Sequence, residues 1–310
     1  MSAVGMAMGM SEAPEGMRSM CSMRFELLGP LRALHGSEEV PLGPPKQRAV
    51  LAVLLLQEGR PISYEGLVEA VWGDEPPAHV RNLVQKYVSG VRRAFACAGE
   101  AGPALTWTGS GYRLSGGVAD DLRERRRLVD AALAARDAGQ LRHAGELIDR
   151  AEALWRGEFA EGLNAPHLTA ERLRWREKRL TVLEAKIAGE IELGRSFEYV
   201  HELIRLVAAH PLRERLVELL MNALYRTGRS SDALIAFEAA RHRIADTMGA
   251  DPGPALRSLH ERMLRQDPEL LATRAAATPT ATATAPTAPH HGRVEQPRVR
   301  RTPNGPQRLD

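Results

Sequence analysis

Two cysteines, Cys21 and Cys97, are all that this 310-residue chain contains. So few thiols build neither a disulfide framework nor a metal-binding spacing, which fits a reducing cytoplasm. Long apolar runs are missing too. The longest, 49–56 (AVLAVLLL), falls far short of the roughly 18–20 residues that span a bilayer. No cationic stretch leads into an apolar one at the N-terminus, so a signal peptide is not expected. Catalytic signatures are equally scarce. There is no HExxH, no GxxxxGK(S/T) and no nucleophile–base pattern, and His290-His291 read as chance neighbours in a low-complexity tail. An enzyme, a metal site and a bound cofactor are therefore not expected; a soluble cytoplasmic protein is.

Charge of one sign is also lacking, since the formal net charge is only +3. Its distribution says more. Residues 23–116 carry ten Lys/Arg against nine Asp/Glu, and residues 117–270 carry 25 against 26. From Leu271 onward there are six Arg against two acids. Within the nearly neutral first part, one stretch holds four basic residues and no acidic one: 78–95, AHVRNLVQKYVSGVRRAF. At a helical period Val84, Val88, Val91 and Phe95 form one apolar stripe. Asn82, Lys86, Ser89 and Arg93 lie opposite, with Arg81, Gln85 and Arg92 on the flank. Buried behind, polar and cationic in front, this helix has the makeup of a recognition helix for a major groove. A solvated surface helix reads the same way in isolation, so its neighbours decide.

Residues 1–22, rich in Met, Gly and Ser, read as a disordered extension, with Met20 and Met23 as candidate translation starts. Three short strands are expected at 24–28, 31–35 and 38–42, punctuated by Gly29-Pro30 and Gly36-Ser37. Pro44-Pro45 opens a core helix over 46–58, apolar nearly all round and closed by Gly59. Ser63 caps a second helix over 64–71. After the 78–95 helix, strands at 104–108 and 112–114 flank the turn Gly109-Ser110-Gly111. Three strands, a helix, a helix-turn-helix and a terminal hairpin make a winged helix. From Asp120 the texture turns to helices rich in Ala, Leu and Arg, at 120–138, 140–156, 166–194, 196–209, 212–227, 230–248 and 253–266. Gly194 and Gly228 precede fresh amphipathic helices 34 residues apart, the period of a tetratricopeptide repeat. The expected architecture is mainly α, with an α+β winged helix at 23–116, an α-solenoid at 117–270 and a disordered Ala/Thr/Pro/Arg tail at 271–310.

These segments resemble a known family. MRFELLGPL, PLGPPKQRAVLAVLLL, VWGDEPPAHVRNLVQKYVSGVRRAF and GYRL are similar to the Streptomyces antibiotic regulatory proteins, whose winged helix is of the OmpR type. LWRGEFAEGL and the stretch from HPLRERLVELLMNALYRTGRSSDALIAFEAARHRI onward resemble that family's bacterial transcriptional activation domain. The resemblance implies an activator that binds direct repeats near a promoter −35 region and recruits RNA polymerase through its sigma and alpha subunits. It also implies self-association on DNA and control of a secondary-metabolite cluster. No phosphate-binding loop follows the helical half, so the short form without nucleotide binding is expected, and with no receiver domain in the sequence two-component control is not expected.

By residue type and by the family pattern, Asn82, Gln85, Lys86, Ser89 and Arg93 are the expected groove-facing set. Ser89 has an alternative role, as a small residue that admits close approach. Arg81 and Arg92 are expected on phosphates, or else in ion pairs within the domain. The resemblance puts Trp72 against the DNA backbone, with core packing as the alternative, and Thr106, Thr108 and Arg113 in the wing contact. Relatives often have Arg where Thr108 stands. Lys46 and Arg48 are candidate contacts for phosphate or a polymerase subunit. Two other functions stay open: repression by promoter occupancy, and a tetratricopeptide scaffold whose winged helix binds protein.

Overall fold

The computed structural model describes residues 23–96 and 102–271. The expectations for 1–22, for Cys97 and for 272–310 lie outside the described residues.

Three strands open the fold: β1 (Met23–Glu26), β2 (Arg32–His35) and β3 (Glu38–Glu39). They pair antiparallel in that order, with Met23 opposite His35 and Leu34 opposite Glu39. Helix α1 (Pro45–Leu56) follows, with proline at its first turn, where no amide partner is lost. Every position from Ala49 to Leu55 is buried, as an all-round apolar helix requires. Next come β4 (Ile62–Ser63), α2 (Tyr64–Trp72) and α3 (Val80–Phe95). The Ser63 hydroxyl accepts from the Gly66 amide at 3.0 Å, the expected N-cap. Strands β5 (Ala104–Trp107) and β6 (Gly111–Ser115) form the wing hairpin. The sequence reading missed β4. Its two residues pair with β6 in a second sheet of order β4-β6-β5 and tie the wing to the start of α2.

The remainder is helical: α4 (Asp120–Asp137), α5 (Leu141–Glu152), α6 (Pro166–Glu192), α7 (Ser196–Ala209), α8 (Glu214–Arg226), α9 (Ser230–Met248) and α10 (Pro254–Leu264), closed by a 3-10 turn at Pro268–Leu271. Three of its turns are built alike. Gly139, Gly194 and Gly228 have φ of 76°, 86° and 78°. After each, the next amide reaches back across the helix end: Gln140 to the Ala135 carbonyl, Arg195 to Glu190 and Arg229 to Leu224, at 2.8–2.9 Å. This is the Schellman closure, and a left-handed residue is what it needs.

A boundary near residue 116 separates the two halves in sequence, yet one buried core crosses it. Phe25, Leu27 and Leu28 share a cluster with Val84, Val88 and Phe95 on one side and Leu122, Phe159, Leu168 and Trp175 on the other. Polar joints reinforce it. The carbonyls of Leu27, Leu28 and Gly29 accept from the amides of Ala160, Arg156 and Glu161. The amides of Leu27 and Leu28 both donate to Asp121 Oδ2 at 2.7 Å, and that of Phe25 donates to Asp120 at 2.9 Å. The loop leaving β1 thus has its backbone groups satisfied by the helical half. A second core lies farther along, from Leu180 and Ile187 on α6 to Leu256 on α10. Helix α6 contributes to both.

Candidate nucleic-acid interface

Helix α3 is held from behind. Val84, Val88, Val91 and Phe95 are all buried, each contributing about 1.5–3 kcal/mol relative to exposure. Phe25 meets Phe95 edge-on at 5.7 Å. With that stripe inward, Arg81, Asn82, Gln85, Lys86, Ser89, Arg92 and Arg93 are all exposed. The geometry divides them. Asn82, Lys86, Ser89 and Arg93 run down the outward face, while Arg81, Gln85 and Arg92 turn toward the wing.

The cations on this face are unspent. Among the described residues, Arg81, Lys86, Arg92, Arg93 and Arg113 have no acidic partner within ion-pair distance. In the helical half, by contrast, Arg179 holds Glu152 at 2.6 Å, Arg195 holds Glu190 at 2.9 Å and Arg213 holds Glu184 at 2.6 Å. The internal ion pairs considered for Arg81 and Arg92 are therefore not formed among the described residues. Both side chains are oriented by other means. The Arg81 guanidinium lies 5.5 Å from the centre of the Tyr64 ring, and Arg92 Nε donates to the Leu105 carbonyl of β5 at 2.8 Å. That bond leaves the terminal nitrogens of Arg92 available.

The wing splits the remaining expectations. Thr106 and Arg113 are directly opposed across the hairpin, and Thr108 shares their side by strand alternation. All three are exposed. Leu105, Trp107, Tyr112 and Leu114 take the other side, toward α3. Leu105, Tyr112 and Leu114 are buried there, whereas Trp107 is 51% exposed. Burial also raises the Tyr112 phenol above its ordinary pKa. Neither Trp107 nor Tyr64 was singled out from the sequence. Alternation marks Trp107 as inward-facing, which reads as core; only the structure shows that it overhangs the end of the core.

Trp72 is half-buried and stacks on Tyr87 of α3, ring centres 6.3 Å apart at 16°. Lys46 caps the stack. Its Nζ lies 5.7 Å from the Trp72 ring and donates to the carbonyls of Val71 and Asn164, both at 3.0 Å. Two of its three protons are thus spent on a joint between α2 and the helical half, and burial lowers its pKa. Arg48 is half-buried, its Nε without a hydrogen-bond partner. Lys46→Met is expected to cost about 1 kcal/mol, because the part-buried Val71 carbonyl loses its donor while the exposed Asn164 carbonyl turns to water, read as a lower urea midpoint at unchanged slope.

Among the described residues no group of His, Cys, Asp and Glu is placed to hold a metal, and no helix is long and apolar enough to cross a membrane.

Known proteins match both halves. Residues 37–114 match the family described as "Transcriptional regulatory protein, C terminal", and residues 121–264 the "Bacterial transcriptional activator domain". Regulatory protein DnrI of Streptomyces peucetius is 34% identical over 254 residues, covering 79% of this chain and 93% of DnrI. Regulatory protein AfsR of Streptomyces coelicolor is 42% identical over 266 residues, covering 85% of this chain but only 26% of AfsR. The chain therefore spans about a quarter of that relative. Among solved structures, Mycobacterium tuberculosis EmbR, determined in complex with a low affinity phosphopeptide, superposes with a TM-score of 0.72 at 35% identity. The match covers 79% of this chain and 65% of that one. With the winged-helix and activator-domain matches in this order and the relation to DnrI over nearly its whole length, the chain belongs to the Streptomyces antibiotic regulatory protein family of transcriptional regulators.

Proposed function

We propose that this protein is a sequence-specific DNA-binding activator, its winged helix (23–116) on the promoter and its helical half (117–270) on the transcription machinery. The observation that carries this reading is the outward face of α3. Asn82, Gln85, Lys86 and Arg93 stand exposed on a helix pinned by four buried side chains, and its cations have no acidic partners among the described residues. Asn and Gln suit adenine, Lys and Arg suit guanine N7 and O6. Arg81, Arg92 and Arg113, with Thr106 and Thr108, are assigned to phosphates, where they set register without reading sequence. Ser89 admits the helix to the groove. Family membership supports the rest: direct repeats beside the −35 element, self-association on them, recruitment of RNA polymerase through sigma and alpha subunits, and a secondary-metabolite cluster as target.

Arg93→Ala is expected to weaken operator binding by about 1–3 kcal/mol and to relax preference at one base pair. Arg81→Ala should weaken all duplexes alike and make the salt dependence shallower by about one unit of slope. Binding titrations against matched and scrambled duplexes at several salt concentrations separate the two. The overall reading is tested by genome-wide occupancy with run-off transcription from the strongest promoter. Peaks on direct repeats with more transcript support it. Peaks with less transcript turn the activator into a repressor, and absence of peaks removes DNA as the partner.

A further inference from the structure

We infer that the wing grips DNA through Trp107, which lies against the deoxyribose face of one strand in the cleft between the hairpin and α3. The inference rests on the DNA-binding reading above and adds a contact that neither sequence reasoning nor the comparisons assign.

The cleft has a volume of about 550 Å³. Trp107 and Tyr112 form one wall, Gln85 and Arg92 of α3 the other, and Tyr64 with Arg81 closes one end; Glu65 is the acidic residue on its rim. Trp107 is fixed there by its own hairpin. It pairs with Tyr112 across the strands, and the rings meet edge-on, centres 5.0 Å apart at 71°. Edge-on packing holds the indole through one part of its surface and leaves a flat apolar face open, which accounts for its 51% exposure beside a buried Tyr112.

What fits such a cleft needs two properties at once. It must present an apolar surface to a flat aromatic ring, and an anion to two guanidiniums that lack acidic partners among the described residues. A sugar–phosphate strand has both, alternating along its length. The site also adjoins the outward face of α3, because Gln85 in the cleft is one helical turn from Asn82 and Ser89 on that face. A duplex seated on Asn82, Lys86 and Arg93 would pass its nearer strand along this flank. The threonines expected to make the wing contact point the other way: Thr106 and Thr108 share the side of the hairpin opposite to Trp107. Trp107 and the Thr108 side chain therefore serve different surfaces, and substitutions tell them apart.

The test uses the full chain and a fluorescein-labelled duplex enriched by the wild-type protein from a random-sequence library. Trp107→Ala is expected to lower affinity about tenfold with an unchanged salt slope, because no charge is lost. Trp107→Phe should retain most of the affinity, whereas Thr108→Ala should weaken all duplexes alike yet keep the tryptophan quenching on DNA binding. Tryptophan emission gives an independent readout. Trp155 and Trp175 are in the core region, so in a Trp72→Phe background the DNA-linked quenching should come from Trp107 and vanish in Trp107→Phe. Full affinity with quenching intact in the Trp107 variants overturns the inference and leaves DNA binding standing. Full affinity with lost run-off transcription also overturns it, by making Trp107 a protein contact. If wild type enriches no duplex, the DNA reading falls and takes this one with it.

Discussion

Asp121→Ala is expected to destabilise the whole protein by roughly 2–6 kcal/mol, since it strands two buried amides at about 1–3 kcal/mol each. Those amides belong to Leu27 and Leu28, 94 and 93 residues away in sequence, and they have no other partner in the loop after β1. Asp121 is itself 7% exposed, so water does not replace it. The same carboxylate accepts from its neighbouring Leu122 amide at 2.8 Å and lies 3.7 Å from Arg156. Because the core crosses this joint, the loss should appear as one cooperative transition moved to lower urea, not as early release of one half. A first transition confined to the winged helix would show the halves to be independent.

The ionisation of Asp121 adds a pH dependence whose sign follows from its burial. Desolvation raises its pKa from 3.8 to about 6, against the opposing pull of the Leu28, Leu27 and Leu122 amides and of Arg156. The folded state therefore holds a proton that the unfolded state has released between these values. The associated stability is fully present below about pH 4 and is lost as pH rises through 6. Asp121→Asn keeps an acceptor for the two loop amides but carries no charge to desolvate. Its deficit relative to wild type should accordingly be largest near pH 4 and shrink by pH 7. A constant deficit across that range would mean that the carboxylate stays ionised throughout.

Most of the fold was legible because its signals are local. Ser63 before an apolar run, proline at the first turn of α1, and glycine one step past three helix ends each specify a backbone state within a few residues. The α3 stripe was equally plain, since Val84, Val88, Val91 and Phe95 repeat at one helical period. What escaped was non-local. Nothing around Asp121 announces that its partners are the amides of Leu27 and Leu28, so a core shared across residue 116 is not legible from the sequence. Lys46 looked free for the same reason, its two carbonyl partners lying 25 and 118 residues away. Trp107 escaped differently. Strand parity gives a residue a side but not a depth, and at the tip of a hairpin the inward side runs out of core.

The largest effect on the wing is expected from Gly111→Ala. Gly111 faces Ser63 where β6 pairs with β4, and a Cβ added there would stand 2.0 Å from the Ile62 carbonyl oxygen and 2.7 Å from Ser63 Cα. Both are backbone atoms, so no rotamer change relieves the clash. The strands must part, and their separation spreads through three connections: Ser63 caps α2, the Tyr64 amide donates to the Ser110 carbonyl at 3.0 Å, and the Thr108 amide closes the turn on the Gly111 carbonyl at 2.9 Å. Overpacking of this kind costs about 1–3 kcal/mol and occasionally more, and a backbone-on-backbone clash belongs at the upper end. The hairpin, once detached, also releases the Arg92 bond to Leu105, so the cleft beside α3 opens. Thermal unfolding should show a clear drop in midpoint, and titration with the selected duplex should show affinity falling at least as far as in Trp107→Ala. Ser115→Ala is the matched control. Its side chain is exposed at the far end of β6 and lies outside the cleft, so both readouts should stay at wild-type values. If Gly111→Ala melts like wild type, β4 does not anchor the wing, and the position of the hairpin against α3 must be held from the β5 side alone.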